Sequence, residues 1–365
     1  MREDRIKDLA VTLLTEIEAT NRPASEVINT FTRMRSFLGS KDRRYLTDIV
    51  WRILRLKARL NFCYPKATWR EKIDLSEQAL PLTDKTPQHI LWEVPEWLIK
   101  HISNPERELP ALLDTPPIVL RTNGNRDIIR QQLQQEGIET IPTTLSPYGL
   151  ILTKRINLST SQCYRNGLVE IQDEGSQLVA LMTHIQPNDT VLDYCAGAGG
   201  KSLIFAQMMQ NKGCILAHDV SERSLNELQK RSLRAKASII QTTTHLASWH
   251  KQHTNTTWKH VVVDAPCSGT GTWRRCPDAR WKLTPEQLQQ LCKKQATILK
   301  SASQYVAPMG YLSYMTCSLT NDENINQVRS FLKQQTHFKL CSHKQFSPAQ
   351  TQTDGLFCAV MQRQS

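Results

Sequence analysis

Leu192-Asp193-Tyr194-Cys195-Ala196-Gly197-Ala198-Gly199-Gly200-Lys201 carries an apolar run into a glycine-rich turn and then into a helical pattern. A turn of this kind, after the first strand of an open α/β sheet, brings backbone N–H groups up to a ligand at a helix N-terminus. Two further segments have a related form. Asp264-Ala265-Pro266-Cys267-Ser268 follows Val261-Val262-Val263, and Thr316-Cys317-Ser318 follows Tyr311-Leu312-Ser313-Tyr314-Met315. In a doubly wound sheet all three segments meet at the carboxyl ends of the strands, where ligands bind. A small-molecule loop beside two thiols points to covalent chemistry on an electrophilic ring.

Outward from the loop the pattern alternates between strand and helix. Strands are predicted at 190–194, 214–219, 238–241, 260–264 and 310–316, with a closing strand at 356–361. Helices are predicted at 221–235 and 284–306, the second opening on the capping box Thr284-Pro285-Glu286-Gln287. Thr320-Asn321-Asp322-Glu323 reads as another capping box. Before this region, 117–122, 138–141 and 150–153 are strand-like and 127–137 is helical, which makes a small α+β unit. Residues 71–113 hold Pro81, Pro87, Pro95, Pro105 and Pro110 and read as a linker with short helices, one of them at 92–102.

The front of the chain is helical by period. Ile6, Leu9, Ala10, Leu13, Leu14 and Ile17 form one apolar stripe. Val27, Ile28, Phe31 and Met34 form a second, and Tyr45, Leu46, Ile49, Val50, Ile53 and Leu54 a third. Gly39 and Ser40 punctuate as a helix stop and an N-cap. Arg43, Arg44, Arg52, Arg55, Lys57 and Arg59 are read either as a solvated face or as contacts to an RNA backbone.

Composition agrees with a polyanion partner. Forty-six Lys and Arg against 34 Asp and Glu give a net charge of +12 over 365 residues. The charged start Met1-Arg2-Glu3-Asp4-Arg5 has no signal-peptide core, and no apolar run is long enough for a membrane span. Ten cysteines without a Cys-x-x-Cys pair argue against a structural zinc site, and we expect reduced thiols, a cytoplasmic location and no metal.

Three ligands compete for the glycine turn. Gly200-Lys201-Ser202 imitates the end of a P-loop, but that pattern requires glycine where Cys195 stands, and it leaves both Cys-Ser motifs unexplained. A dinucleotide fingerprint needs a third glycine where Ser202 stands. S-adenosylmethionine accounts for the loop, for Asp219 as acceptor of the ribose hydroxyls, and for the cysteines together. Asp219 could instead serve only to cap the helix that follows it. The thiols then have a use. Carbon 5 of cytosine is a poor nucleophile until a thiolate adds at carbon 6 and turns the ring into an enamine. Asp264 stands where it can hydrogen-bond ring nitrogen 3.

In the segments Glu170-Ile171-Gln172-Asp173-Glu174-Gly175-Ser176-Gln177, 195–201, 264–271 and 314–324, the chain resembles the RsmB/Sun family of RNA cytosine-5 methyltransferases. The resemblance implies a class I methyltransferase domain, Rossmann-like, over 166–365. It also implies an RRM-like α+β subdomain at 115–165, a linker with short helices at 76–114 and an all-helical NusB-like RNA-docking domain at 1–75. A Pro-Cys motif would make Cys267 the nucleophile, as in DNA cytosine methyltransferases. In the RNA family the Thr-Cys-Ser cysteine attacks, so the resemblance assigns Cys317 as nucleophile and Cys267 to product release, with Asp264 beside them.

Cofactor contacts carry onto Cys195, Ala196, Gly197, Ala198, Gly199, Gly200, Lys201, Asp219 and Asp264. A further acidic contact of the family falls near Thr243, where this chain has no carboxylate, and Ala198 replaces a frequent proline. The expected enzyme is a monomer that methylates carbon 5 of a cytosine in structured RNA, ribosomal RNA first. The alternatives are a tRNA cytosine-5 methyltransferase and a non-catalytic ribosome-assembly factor of the same fold. Arg274, Arg275, Arg280, Lys282, Lys293 and Lys294 are expected along the RNA path.

Overall fold

The computed structural model describes residues 2–253 and 256–365. It divides into two compact units, Met1–Thr115 with Thr272–Gln287, and Pro116–Gly271 with Leu288–Ser365.

The first unit is helical. It is built on α1 (Glu3–Glu18), α2 (Ala24–Arg33), α3 (Ser40–Arg55), α4 (Lys57–Cys63) and α5 (Trp69–Leu75). The predicted stripes form its core: Ile6, Leu13, Leu14, Ile17, Phe31, Leu46, Ile49, Val50 and Ile53 are each no more than 3% exposed. Burying one such side chain stabilises by roughly 1.5–3 kcal/mol, while an exposed ion pair contributes about 1 at most. The stripes, rather than the surface charges, hold the bundle. Met34 departs from its stripe and is 77% exposed, because it lies one residue past the end of α2. The segment read as a helix at 92–102 is a 3₁₀ turn over Glu96–His101.

The basic side of this unit is largely bound within it. Arg43 donates to Leu38 O, Arg52 to Glu77, Arg55 to Arg274 O and Arg59 to Leu91 O, and Lys57 pairs with Glu18. Arg44 stays exposed beside Asp48. The segment 272–287 is part of the same core. Arg280 is fully buried and donates to the carbonyls of Glu93, Leu112 and Trp273. Burial lowers its pKa to about 10. Asp278 accepts the Ala24 N–H at 3.0 Å, and Lys282 donates to Arg22 O and Asp278. Arg274 is 3% exposed. The expectation that Arg274, Arg280 and Lys282 line an RNA path is therefore corrected. Arg280 and Lys282 donate to protein groups and Arg274 is buried, and a buried guanidinium needs acceptors within the protein. Lys293 and Lys294 are exposed, as read.

The second unit holds two sheets. Strands β1 (Val119–Thr122), β2 (Thr140–Pro142), β3 (Gly149–Leu152) and β4 (Val169–Ile171) form an antiparallel sheet in the order β2-β3-β1-β4. The larger sheet contains β5 (Thr190–Asp193), β6 (Cys214–His218), β7 (Ile240–Thr243), β8 (Trp258–Asp264), β9 (Val306–Thr316), β10 (Phe338–Phe346) and β11 (Leu356–Arg363). Their order is β10-β11-β9-β8-β5-β6-β7, parallel from β9 to β7 and antiparallel at β11 and β10. The apolar runs Val261–Val263 and Val191–Leu192 are fully buried, as central parallel strands covered on both faces require.

Strand order reverses at β5, whose neighbours are β6 and β8. The crevice at such a switch point, at the carboxyl ends of the strands, is where ligands bind in this architecture.

Candidate active site

The turn after β5 is held open by its glycines. Gly197 (φ 52°) and Gly199 (φ 81°) both lie in the left-handed region. A Cβ on Gly199 would stand 2.0 Å from Leu228 Cδ1, whereas one on Gly197 would meet nothing within 4 Å. The close packing of Gly199 draws the helix Glu222–Arg234 against the loop, and Arg231 of that helix donates to Ala198 O at 2.6 Å. Arg231 is itself held by the buried carboxylate of Glu170. The loop thus has a brace at Ala198.

Asp219, just past β6, reaches across to the same turn. Its Oδ2 accepts Gly197 N–H at 2.9 Å and its Oδ1 accepts Ser221 N–H at 2.8 Å. The helix that follows is capped by Ser221, whose hydroxyl accepts Ser224 N–H, so Asp219 does not act as the cap. Thr243 ends β7 opposite His218, and its hydroxyl accepts His245 N–H.

Asp193 at the end of β5 is fully buried. Its Oδ2 accepts from Ser202, its Oδ1 has no partner among the described residues, and burial pushes its pKa up to about 7. Burial likewise pushes the Cys195 thiol up to about 12, far from the reactive range. Lys201 joins loop to strand: its ammonium donates to Ser176 Oγ at 2.8 Å and to Asp264 Oδ2 at 3.1 Å. Asp264 keeps about a third of its side chain exposed (32%).

The two cysteines meet. Parallel pairing sets Asp264 of β8 opposite Met315 of β9, so Cys267 and Cys317 leave adjacent strands at the same level. Their sulfurs are 3.3 Å apart, and Cys267 Sγ also accepts the Cys317 N–H at 3.3 Å. The shared hydrogen bond with Cys317, followed by burial, pushes the Cys267 thiol well above its ordinary range. Gly271 closes the turn from below, donating its N–H to Cys317 O at 3.0 Å.

Some participants escaped sequence reading. Ser176 anchors Lys201, Arg231 braces the loop, and the serines of both Cys-Ser pairs turn away from the thiols toward Glu323. Glu323 was visible only as a supposed capping-box partner. The helix begins at Ile325 instead, and the Glu323 carboxylate is fully buried. Among the described residues no group of three His, Cys, Asp or Glu side chains could hold a metal ion, and no helix is long and apolar enough to cross a membrane.

Residues 180–362 match the family described as 16S rRNA methyltransferase RsmB/F. A curated relative from Bacillus subtilis (strain 168), "Probable ribosomal RNA small subunit methyltransferase B", is 31% identical over 255 residues, which is 67% of this chain and 57% of the relative. The chain spans 57–70% of the length of the curated relatives it matches. The crystal structure of PH0851 aligns over 100% of this chain and 99% of its own, with TM-score 0.82 and 20% identity. That of NSun6 from Pyrococcus horikoshii, solved with SFG, aligns over 75% of this chain and 98% of its own, with TM-score 0.66 and 17% identity. These two likenesses establish the fold.

Proposed function

The chain belongs to the 16S rRNA methyltransferase RsmB/F family, and we propose that it methylates carbon 5 of a cytosine in structured RNA through a covalent cysteine adduct. S-adenosylmethionine is the proposed methyl donor and ribosomal RNA the proposed substrate. The observation that carries the reading is the 3.3 Å contact between Cys267 and Cys317 at the strand ends.

The residues of the turn fit the donor. Backbone N–H groups at a helix start, open space over Gly197, the partly buried Asp219 and the Asp193 Oδ1, unpartnered among the described residues, together suit an adenosine ligand that carries polar groups and a positive charge. When bound, S-adenosylmethionine supplies an electrophilic methyl group.

The chain supplies the rest. Cys317 Sγ gives up its proton and bonds to carbon 6, while the electrons of the C5–C6 double bond shift toward ring nitrogen 3 and its neighbours. Asp264, held by Lys201, takes up the proton that Cys317 gives up and donates it to nitrogen 3, which neutralises that charge. Carbon 5 of the enamine then takes the methyl and afterwards releases its proton to a base. The Cys317–C6 bond breaks as the ring double bond re-forms. Cys267, kept protonated beside Cys317, exchanges a proton with it as it leaves. The target base has to leave its stack to reach the thiol. Residues 1–75 are proposed to dock the RNA backbone, with no part in the chemistry.

The test is methyl transfer from labelled S-adenosylmethionine to purified ribosomal RNA and to tRNA, with bisulfite sequencing of the product. Label at carbon 5 of cytosine in ribosomal RNA is expected. Label confined to tRNA would move the substrate, and no label in either would favour an assembly factor without activity.

A further inference from the structure

The two Cys-Ser pairs share something besides their cysteines. Ser268 and Ser318 lie fifty positions apart, yet their hydroxyls converge on one carboxylate, that of Glu323. Oε2 accepts from Ser268 Oγ at 2.5 Å, from Ser318 Oγ at 2.6 Å and from Thr320 Oγ1 at 3.0 Å. Oε1 accepts from Ser268 N–H at 2.8 Å and from Gln295 Nε2 at 2.9 Å, and Gln295 also donates to Pro266 O. Glu323 is fully buried, and every one of these five donors is a neutral hydroxyl or amide. A buried carboxylate is retained at such a place only when its hydrogen bonds are complete, because each missing one leaves the charge exposed to a low-dielectric surrounding. Here the completing donors come from both thiol loops.

Taking the cytosine-5 reading as its premise, we propose that Glu323 is a positioning residue whose carboxylate ties the Cys267 loop to the Cys317 loop and so sets the contact between the two thiols. The arrangement explains why each cysteine is followed by serine: the serines face inward as ties while the sulfurs face each other. It also sets the charge around the pair. A carboxylate beneath the thiols acts on Cys267 in the same direction as burial, toward the protonated form. Tyr314, whose hydroxyl donates to the Glu323 backbone carbonyl at 2.7 Å, supports the turn without touching the carboxylate.

The test reads each thiol directly in the full-length protein. Iodoacetamide alkylation is followed cysteine by cysteine across pH by peptide mass spectrometry, with the exposed Cys341 as internal reference. Glu323→Gln keeps the size, removes the charge and turns one acceptor oxygen into a donor, so the ties to that oxygen are lost as well. Cys267 should then alkylate severalfold faster relative to Cys341, with its profile displaced to lower pH, because the charge that favours the protonated thiol is gone. The Ser268→Ala/Ser318→Ala double variant keeps the charge and cuts the ties, and should raise alkylation of both Cys267 and Cys317. Tyr314→Phe should leave the profiles where they are. In methyl transfer, Glu323→Gln should lower kcat by roughly a hundredfold with the KM for S-adenosylmethionine unchanged, the signature of a misplaced nucleophile beside an intact donor site. Superimposable alkylation profiles for parent and Glu323→Gln, or an equal displacement in Tyr314→Phe, would overturn the assignment. Absence of any methyl transfer in the parent would refute the cytosine-5 reading, and the alkylation profiles would still decide the role of Glu323.

Discussion

Cys267 Sγ lies 3.3 Å from Cys317 Sγ and accepts the Cys317 backbone N–H at the same distance, so a single sulfur contacts both the partner thiol and its main chain. Whatever one cysteine does in the reaction, the other is in proton-transfer range of it.

The two cysteines should therefore fail differently. Without Cys317 no sulfur adds to carbon 6, and Cys317→Ala is expected to show neither methyl transfer nor a protein–RNA adduct. Cys267→Ala should still attack and methylate but release slowly, accumulating a complex that survives boiling in detergent. Denaturing gels of both variants with substrate RNA check this, and an adduct in Cys317→Ala alone would reverse the two roles.

Asp219→Ala leaves the N–H groups of Gly197 and Ser221 without their acceptor, so it should affect both the loop and the ligand. Loss of hydrogen bonds to a charged group predicts S-adenosylmethionine binding weaker by roughly 1.5–3 kcal/mol. Stability should fall by about 1 kcal/mol, because water can reach this partly exposed site. Calorimetric titration beside a thermal melt measures both, and unchanged affinity would limit Asp219 to a structural part.

Gly271→Ala should damage the thiol turn through backbone collision. An added Cβ would stand 2.0 Å from Gly355 O, and the Gly355 N–H donates to Gly271 O at 2.8 Å. Neither strand of main chain can rotate away as a side chain could. A loss of about 1–3 kcal/mol is expected, accompanied by reduced methyl transfer as the bond to Cys317 O is strained. Gly39→Ala, whose Cβ would have only Asp42 Oδ2 at 3.8 Å, is the harmless comparison in the same denaturation series.

Glu93 gives stability an uncommon pH slope. It is fully buried and accepts the N–H groups of Ala58 and Arg59, yet desolvation dominates and raises its pKa to about 7. A folded-state pKa above the unfolded value of 4.5 means that the native state binds the proton more tightly between about 4.5 and 7. Stability from this group is greatest at the acid side of that window and is lost as pH rises through it, by on the order of 3 kcal/mol. Glu93→Gln should lack this slope. Urea unfolding of parent and variant at several pH values reads the difference, and parallel curves would refute it. Asp193, raised in the same direction, is present in both proteins and cancels.

Much of this was legible in the residues themselves. Stripes such as Ile6–Ala10–Leu13–Ile17 and the run Val261-Val262-Val263 announce their elements because burial repeats with the period of a helix or fills a central strand. Strand β10 escaped notice because it is an edge strand whose middle residues, Ser342, His343 and Lys344, face solvent and carry no alternating apolar signal. The arginines of 272–287 misled for a related reason. A cation in a polar stretch looks solvated until one knows that Glu93, Leu112 and Trp273 offer it their carbonyls.

Sequence alone determined the strand–turn–helix at 190–208, the two thiols at strand ends and the family to which they belong, because each rests on neighbours along the chain. Only the tertiary structure decided that Cys267 touches Cys317, that Arg231 braces Ala198, and that Glu323 gathers Ser268 and Ser318. Apart from Ser318, five positions before Glu323, those partners are separated by tens of residues, and the register of β8 on β9 brings the thiols level. A carboxylate that reads locally as a helix cap becomes a buried junction because Ser268 and Gln295, from distant segments, join the nearby Ser318 and Thr320 hydroxyls in satisfying its oxygens.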